Sequence, residues 1–101
     1  MENLSGIKET IRQLLGRMRL GILPPRYCTY KDDEAYIEFG VVCNLFKALS
    51  EGERAIVARH VRKLHDEGEF YYRKDWVESR TEEDGKMIVY KYPPLLCVTP
   101  Q

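Results

Sequence analysis

The stretch SEGERAIVARHVRKLHDEG, residues 50–68, decides the fold because it carries the clearest start and stop signals in the chain. Ser50 and Glu53 have the spacing of a capping box, in which each side chain binds the backbone amide of the other residue. Gly68 is placed to reverse the backbone at the other end, so a helix is predicted from Ser50 to about Glu67. Its inner face is predicted from the apolar residues at helical spacing: Val57, Val61 and Leu64.

The opposite, outer face of this helix is rich in charged side chains. Guanidinium and ammonium groups on one helix face are typical of a surface that contacts phosphate. Acidic residues of the same segment (Glu51, Glu53, Asp66 and Glu67) balance that charge if the face is only solvated. Both interpretations stay open from the sequence. The predicted outer residues are Arg59, Arg62, Lys63 and Asp66.

A further helix is predicted over residues 3–20, where apolar side chains recur at alternating steps of three and four. Gly21 and then Pro24-Pro25 mark its end. The same spacing occurs in a core-facing helix and in the seam of a short coiled coil, so the stripe predicts either core packing or a homodimer interface. Its members are Leu4, Ile7, Ile11, Leu14 and Met18.

The segment from Arg26 to Phe39 is compatible with two structures. A short hairpin would have its polar turn near Asp32 and Asp33, and strand-prone residues such as Ile37 favour it. A helix over residues 33–49 would bury an apolar stripe that includes Ala35 and Val42. We favour the helix, which makes residues 33–67 a helical core, and the hairpin remains the alternative.

The period of the apolar residues changes to two after Phe70, which predicts a β-hairpin over residues 70–92. Phe70, Tyr72 and Trp76 would share one side of its first strand, and the polar connection contains Asp84-Gly85, a pair typical of tight turns. The apolar tail within residues 93–101 is expected to dock on the core or to add an edge strand.

The order of capped helix, glycine, aromatic strand, polar turn and strand resembles the C-terminal half of winged helix-turn-helix DNA-binding domains. The resemblance covers roughly Ser50 to Tyr92 and is carried by RHVRKLHDEG (59–68), FYYR (70–73) and KMIVY (86–90). It implies a single α+β domain over residues 1–101, winged-helix-like, with two or three helices followed by a C-terminal β-hairpin.

The resemblance also implies a set of residues that contact double-stranded DNA. The basic helix would enter the major groove, and the wing would touch the neighbouring backbone. The expected contacts are Arg54, Arg59, Arg62, Lys63, Arg73, Lys74, Arg80 and Lys86.

Composition narrows the other possibilities. The chain has 101 residues, 16 Lys+Arg against 16 Asp+Glu, and 44% hydrophobic residues, which is typical of one small globular domain. Neither a signal peptide nor a membrane span is readable, and three widely spaced cysteines indicate reduced thiols, so a cytoplasmic protein is expected.

Catalytic and metal signatures are not readable in the sequence. His60 and His65 would project about 140° apart on a helix, which disfavours one shared metal ion. Cys43 and His60 could approach each other, but no third group that would orient them is apparent. We therefore expect no enzyme, no metal and no cofactor.

The function expected from the sequence is that of a small DNA-binding transcriptional regulator, acting as a homodimer. The alternative is a protein-binding module or inhibitor, of the kind found in viruses and mobile elements, that uses the same scaffold without DNA. Zero net charge and the acidic turn formed by Glu82, Glu83 and Asp84 favour that alternative, because both reduce attraction to phosphate.

Overall fold

The computed structural model describes residues 6–48, 50–72 and 75–99. In this part of the chain, three helices and two antiparallel sheets form an α+β domain. No helix in the described ranges is long and apolar enough to cross a lipid bilayer. The elements in chain order are α1 (Ile7–Leu20), β1 (Thr29–Lys31), β2 (Glu34–Glu38), α2 (Phe39–Leu45), α3 (Glu51–Asp66), β3 (Val77–Glu83), β4 (Lys86–Tyr92) and β5 (Leu95–Val98).

Helix α3 has the start, the end and the inner face that the sequence predicts. The Ser50 hydroxyl accepts a hydrogen bond from the Glu53 amide at 3.1 Å, and the Ser50 amide donates to the Glu53 carboxylate at 3.2 Å. The capping box therefore satisfies two amides that the first turn leaves free. Gly68 follows the helix with a φ of +80°, a conformation that favours glycine. Val57, Val61 and Leu64 are buried.

Helix α1 directs its apolar stripe into the core of the single chain. Ile7, Ile11, Leu14 and Met18 are buried there, and α1 packs against α3. For these four residues the structure shows core packing, which is one of the two alternatives that the sequence predicts for the stripe, and the homodimer stays a prediction. Leu4, the remaining member of the predicted stripe, lies outside the described residues.

The preferred helix over residues 33–49 is wrong in its first part, and the alternative hairpin is what the structure shows. Strands β1 and β2 pair antiparallel, with Tyr30 opposite Ala35. Asp32 and Asp33 form the turn with φ values of +53° and +60°. Two successive positive φ values make the tight turn that joins twisted strands, and aspartate tolerates them better than most residues. Only residues 39–45 form a helix, α2.

The C-terminal tail adds a strand to the first sheet. This is one of the two structures expected for it from the sequence, the other being docking on the core. Strand β5 pairs antiparallel with β2, with Ile37 opposite Leu96. The order in this sheet is β1-β2-β5, and Tyr71 forms an isolated bridge to Cys97 of β5. The tail thus covers an edge of β2 that would otherwise expose unpaired backbone groups.

The predicted C-terminal hairpin exists, but its first strand begins at Val77 rather than at Phe70. Phe70 is instead buried, and the Tyr71 backbone is engaged by Cys97 through hydrogen bonds of 2.8 and 3.0 Å. Tyr71 is thus bridged to β5 of the first sheet, and the ladder between β3 and β4 starts only at Val77. The turn is confined to Asp84 and Gly85, both with positive φ.

The shortened α2 changes what precedes α3. Helix α2 ends at Leu45, and a turn at residues 46–47 follows it, so a short helix and a turn precede the basic helix α3 in the chain. The hairpin β3–β4 forms a sheet of its own and packs on α3 through β4. Helix α3 is consequently covered by α1 and by the hairpin.

We predict that Ser50→Ala lowers the free energy of unfolding by about 1 kcal/mol, because it removes the acceptor for the Glu53 amide. Urea unfolding of Ser50→Ala, of Glu53→Ala and of the double variant measures the effect. The cost of the double variant should be smaller than the sum of the single costs, since both single changes break one reciprocal box. Additive costs would contradict this coupling.

Candidate functional site

Acidic residues that follow α3 are engaged by basic residues of α1. Arg12 contacts Glu67 and Glu69 at 3.2 Å each, and Lys8 pairs with Glu67 at 2.5 Å. The Lys8 ammonium holds the pKa of the Glu67 carboxyl below its ordinary value. Arg19 also donates to the backbone carbonyl of Glu69. These carboxylates neutralise the surface of α1, and their charge is not available to the outer face of α3.

The acidic residues in the first turn of α3 are also occupied. Glu51 accepts a hydrogen bond from the Tyr90 hydroxyl at 2.8 Å, which ties β4 to α3. Glu53 is the reciprocal partner in the capping box. Of the four carboxylates expected to balance the outer face, Asp66 alone is left near it, and its contact is with His65 Nδ1 at 3.5 Å without hydrogen-bond geometry.

Two cations of the outer face, Arg59 and Arg62, lie with Lys91 along a surface that we call the α3–β4 groove, defined by these three residues. Arg59, Arg62 and Lys63 are exposed, and none forms an ion pair with a described residue. Lys91 of β4 faces the same groove. One cavity of about 280 Å³ is lined by Ala58, Arg59, Arg62, Val89, Tyr90 and Lys91.

A second cavity continues the groove toward the C-terminal end of α3. It has a volume of about 290 Å³ and is lined by Arg62, His65, Asp66, Trp76 and Lys91. Arg62 and Lys91 border both cavities. The two cavities are therefore adjacent: the first is basic, and the second has a mixed aromatic and charged lining.

Three further predicted DNA contacts, Arg54, Arg80 and Lys86, do not line either cavity of this groove. Arg54 lies beside a separate cavity of about 400 Å³ that is also lined by Tyr92, and its Nε has no hydrogen-bond partner among the described residues. Arg80 is held by Glu78 at 2.6 Å, and Lys86 stands at the hairpin turn. Arg73 and Lys74 lie outside the described residues.

Two residues of the groove, Lys91 and Trp76, were not selected as functional from the sequence. Alternation along β4 places Lys91 on the side opposite Tyr90 and Tyr92, where it is exposed. Its long side chain nevertheless borders both cavities beside α3. Trp76 precedes β3 and was read as part of a packed sheet face. A basic residue between two inward tyrosines is the signal that could have marked this site.

An aromatic cluster surrounds His65 at the end of the groove. The His65 ring centroid lies 5.4 Å from that of Phe70, 5.1 Å from Tyr72 and 5.3 Å from Trp76. The Arg62 guanidinium carbon lies 5.8 Å from the Trp76 ring centroid, which is within the range of a cation–π contact. The indole is only partly buried.

The surface also carries an apolar patch on the opposite part of the domain, which we call the α1–α2 patch. Leu20 and Ile22 are each 64% exposed, and Leu45 is 46% exposed. A cavity of about 350 Å³ beside Leu45 is lined by Arg17 and by the side chains of Leu14, Leu23 and Phe46. Exposed apolar side chains that cluster in this way are typical of protein contact surfaces.

Cys43 does not have the properties of a nucleophile in this structure. It is buried, and burial raises the pKa of its thiol to about 11. The reactive form of cysteine is the thiolate, which is scarce near neutral pH at that value. No group of three or more metal-ligating side chains is found in residues 6–48, 50–72 and 75–99.

Comparison of the chain with protein-family models, with curated proteins and with solved structures finds no match. The fold and the groove define the protein as a small α+β domain with a basic helix face and an adjoining hairpin.

His60, on α3, provides a pH-dependent contribution to stability. Burial is the main cause that lowers the pKa of its imidazole, and the nearby Lys63 and Lys8 lower it further. The folded chain therefore holds His60 neutral at pH values where the unfolded chain protonates it. Stability is fully present above the ordinary value of 6.5 and is lost as the pH falls toward the lowered pKa.

We predict that His60→Gln flattens the dependence of the unfolding free energy on pH between about 7.5 and 5.5. Urea titrations across this range, with wild type alongside, measure the effect. His65 is retained in the variant and serves as an internal control. An unchanged slope in His60→Gln would show that His60 does not carry this linkage.

Proposed function

We propose that this chain is a DNA-binding protein, of the kind that regulates transcription, and that it binds through the α3–β4 groove. The observation that carries the proposal is the convergence of Arg59, Arg62 and Lys91 on one groove, without ion pairs to described residues. Of the four carboxylates expected to balance this charge, three are engaged by α1, by Tyr90 and by the helix cap. Asp66 remains at the second cavity, and Glu78, opposite Lys91 in the hairpin, is held by Arg80.

The electrostatics of duplex DNA explain why such a groove binds it. Each phosphate neutralised by a cation releases condensed counterions, which favours binding entropically. Helix α3 has 16 residues and is about 24 Å long, enough to lie along the major groove. The short α2 and its connection to α3 match the order of elements in winged helix-turn-helix domains and support the proposal.

The hairpin makes a smaller contribution than the resemblance implies. Glu78 occupies Arg80, and the turn exposes Glu82 and Asp84, which repel phosphate. Contact with DNA is therefore centred on α3 and on Lys91. Since the α1 stripe is used in the core, the proposal concerns the single chain and requires no two-fold interface along that stripe.

We predict salt-dependent binding of a labelled, mixed-sequence duplex, measured by fluorescence anisotropy. With Arg59, Arg62, Lys63 and Lys91 in contact with phosphate, the slope of log K against log salt should be about −3 to −4. The variant Arg59→Ala/Arg62→Ala should reduce that slope by about 2 and weaken binding at low salt at least tenfold.

The matched control is Arg17→Ala/Arg26→Ala, which removes the same charge from exposed positions outside the groove. This control should bind DNA nearly as well as wild type, because the lost charges do not contact phosphate. Equal losses in the two double variants would indicate an effect of net charge alone. Absence of binding by the wild type at low salt would refute the proposal.

The α1–α2 patch favours a second candidate function, the binding of a protein partner. Leu20, Ile22 and Leu45 are exposed beside Arg17, so the patch combines an apolar surface with a positive rim. A complementary partner would present apolar side chains flanked by carboxylates. A second copy of this chain is disfavoured as the occupant, since a symmetric contact would bring two basic rims together.

We predict for this candidate that a stoichiometric protein partner is retained after nuclease treatment and is lost in Leu20→Ser/Ile22→Ser. Arg59→Ala/Arg62→Ala should keep the same partner, because its changes lie in the groove. Direct titration with the purified partner completes the measurement. A partner that is released by nuclease, or that both variants retain, would exclude the patch as its binding site.

A further inference from the structure

The second cavity of the α3–β4 groove differs in chemistry from the first. Cations line the first part, whereas the second part adds the Trp76 indole, the His65 imidazole and the Asp66 carboxylate. A carboxylate at this position repels a phosphate group. The second cavity is therefore poorly suited to the backbone of a nucleic acid, although Arg62 and Lys91 place two cations at its border.

The same cavity has the features that suit a nucleobase. Its volume of about 290 Å³ is sufficient for one planar heterocycle, and the partly buried Trp76 supplies an aromatic wall. His65 and Tyr72 meet Trp76 at interplanar angles of 80° and 73°, so neither of these rings stacks in parallel on the indole. The Arg62 guanidinium lies over the indole ring at 5.8 Å from its centroid, so a base that stacks on Trp76 also lies beside this cation. Asp66 offers a hydrogen-bond acceptor at the cavity.

We propose that the second cavity of the α3–β4 groove, called the Trp76 cavity from here on, receives an unpaired base of a DNA strand. The backbone of that strand lies on Arg59, Arg62 and Lys91. The proposal rests on the proposed function, because the strand must first be held by the basic part of the groove. The DNA that this chain binds best is then a duplex with a single-stranded extension, rather than a fully paired duplex. Aromatic side chains accept any base by stacking, so this contact adds affinity with little preference for sequence.

Trp76 is the single tryptophan of the chain and therefore reports directly on its own cavity. The experiment compares a blunt duplex with the same duplex carrying a short single-stranded overhang, by anisotropy of the DNA and by emission of Trp76. The overhang should raise affinity about tenfold, the typical effect of stacking one base. It should also quench Trp76 emission more strongly than the blunt duplex does.

Variants separate the cavity from the rest of the groove. Trp76→Leu should bind both DNA molecules with the affinity that wild type shows for the blunt duplex. Trp76→Phe keeps an aromatic wall and should retain part of the preference for the overhang. Tyr27→Leu, a change of aromatic residue near the α1–α2 patch, is the matched control and should keep the full preference. Circular dichroism checks that each variant is folded.

The outcomes distinguish this inference from the proposed function. Equal affinity for the two duplexes, with unchanged Trp76 emission, would overturn the inference and leave groove binding intact. Failure of wild type to bind either DNA would overturn both. Quenching by a free nucleoside monophosphate at the same concentration, without any gain from the overhang, would indicate an independent nucleotide site and would also overturn the inference.

Discussion

Burial of the inner face of α3 is the constraint on which the rest of this domain depends. Val57, Val61 and Leu64 are fully enclosed, and α1 and β4 cover the helix. Removing such side chains from water stabilises the fold by roughly 1.5–3 kcal/mol each. Because one side of α3 is committed to the core in this way, helical geometry leaves Arg59 and Arg62 no position other than the surface.

The neutral total charge of the chain conceals a separation of charge within it. Lys8 and Arg12 of α1 form ion pairs with the carboxylate of Glu67, and the Tyr90 hydroxyl donates a hydrogen bond to that of Glu51. The exposed ion pairs contribute little to stability, about 0–1 kcal/mol each, yet they decide which surface stays positive. Composition counts every charge equally, whereas the fold assigns each carboxylate to one neighbour, so a neutral chain retains a basic groove.

Local signals were sufficient for α3 and for the Asp84-Gly85 turn, because each depends on adjacent residues. They left the tail open between docking on the core and adding an edge strand, because its pairing partner β2 is distant in sequence. They were insufficient for residues 33–49, where the apolar spacing suits a helix and the strand is selected by pairing with both β1 and β5. The same limit applies to the site. Arg59, Arg62 and Lys63 follow from helical geometry, whereas the roles of Lys91 and Trp76 depend on where the hairpin packs.

The hairpin is held beside α3 by contacts at its base rather than by the first sheet. Tyr92 stacks on Phe39 of α2 with ring centroids 4.2 Å apart, and Tyr90 bonds to Glu51 at the start of α3. Strand β2 pairs with β1 and β5, so no backbone ladder joins it to the hairpin. The position of β4 beside α3 therefore depends on side-chain contacts, among them those of Tyr90, Tyr92 and Ile88 with the core. Lys91 lies between Tyr90 and Tyr92 in sequence, so the contacts that anchor the hairpin also place a cation opposite Arg62.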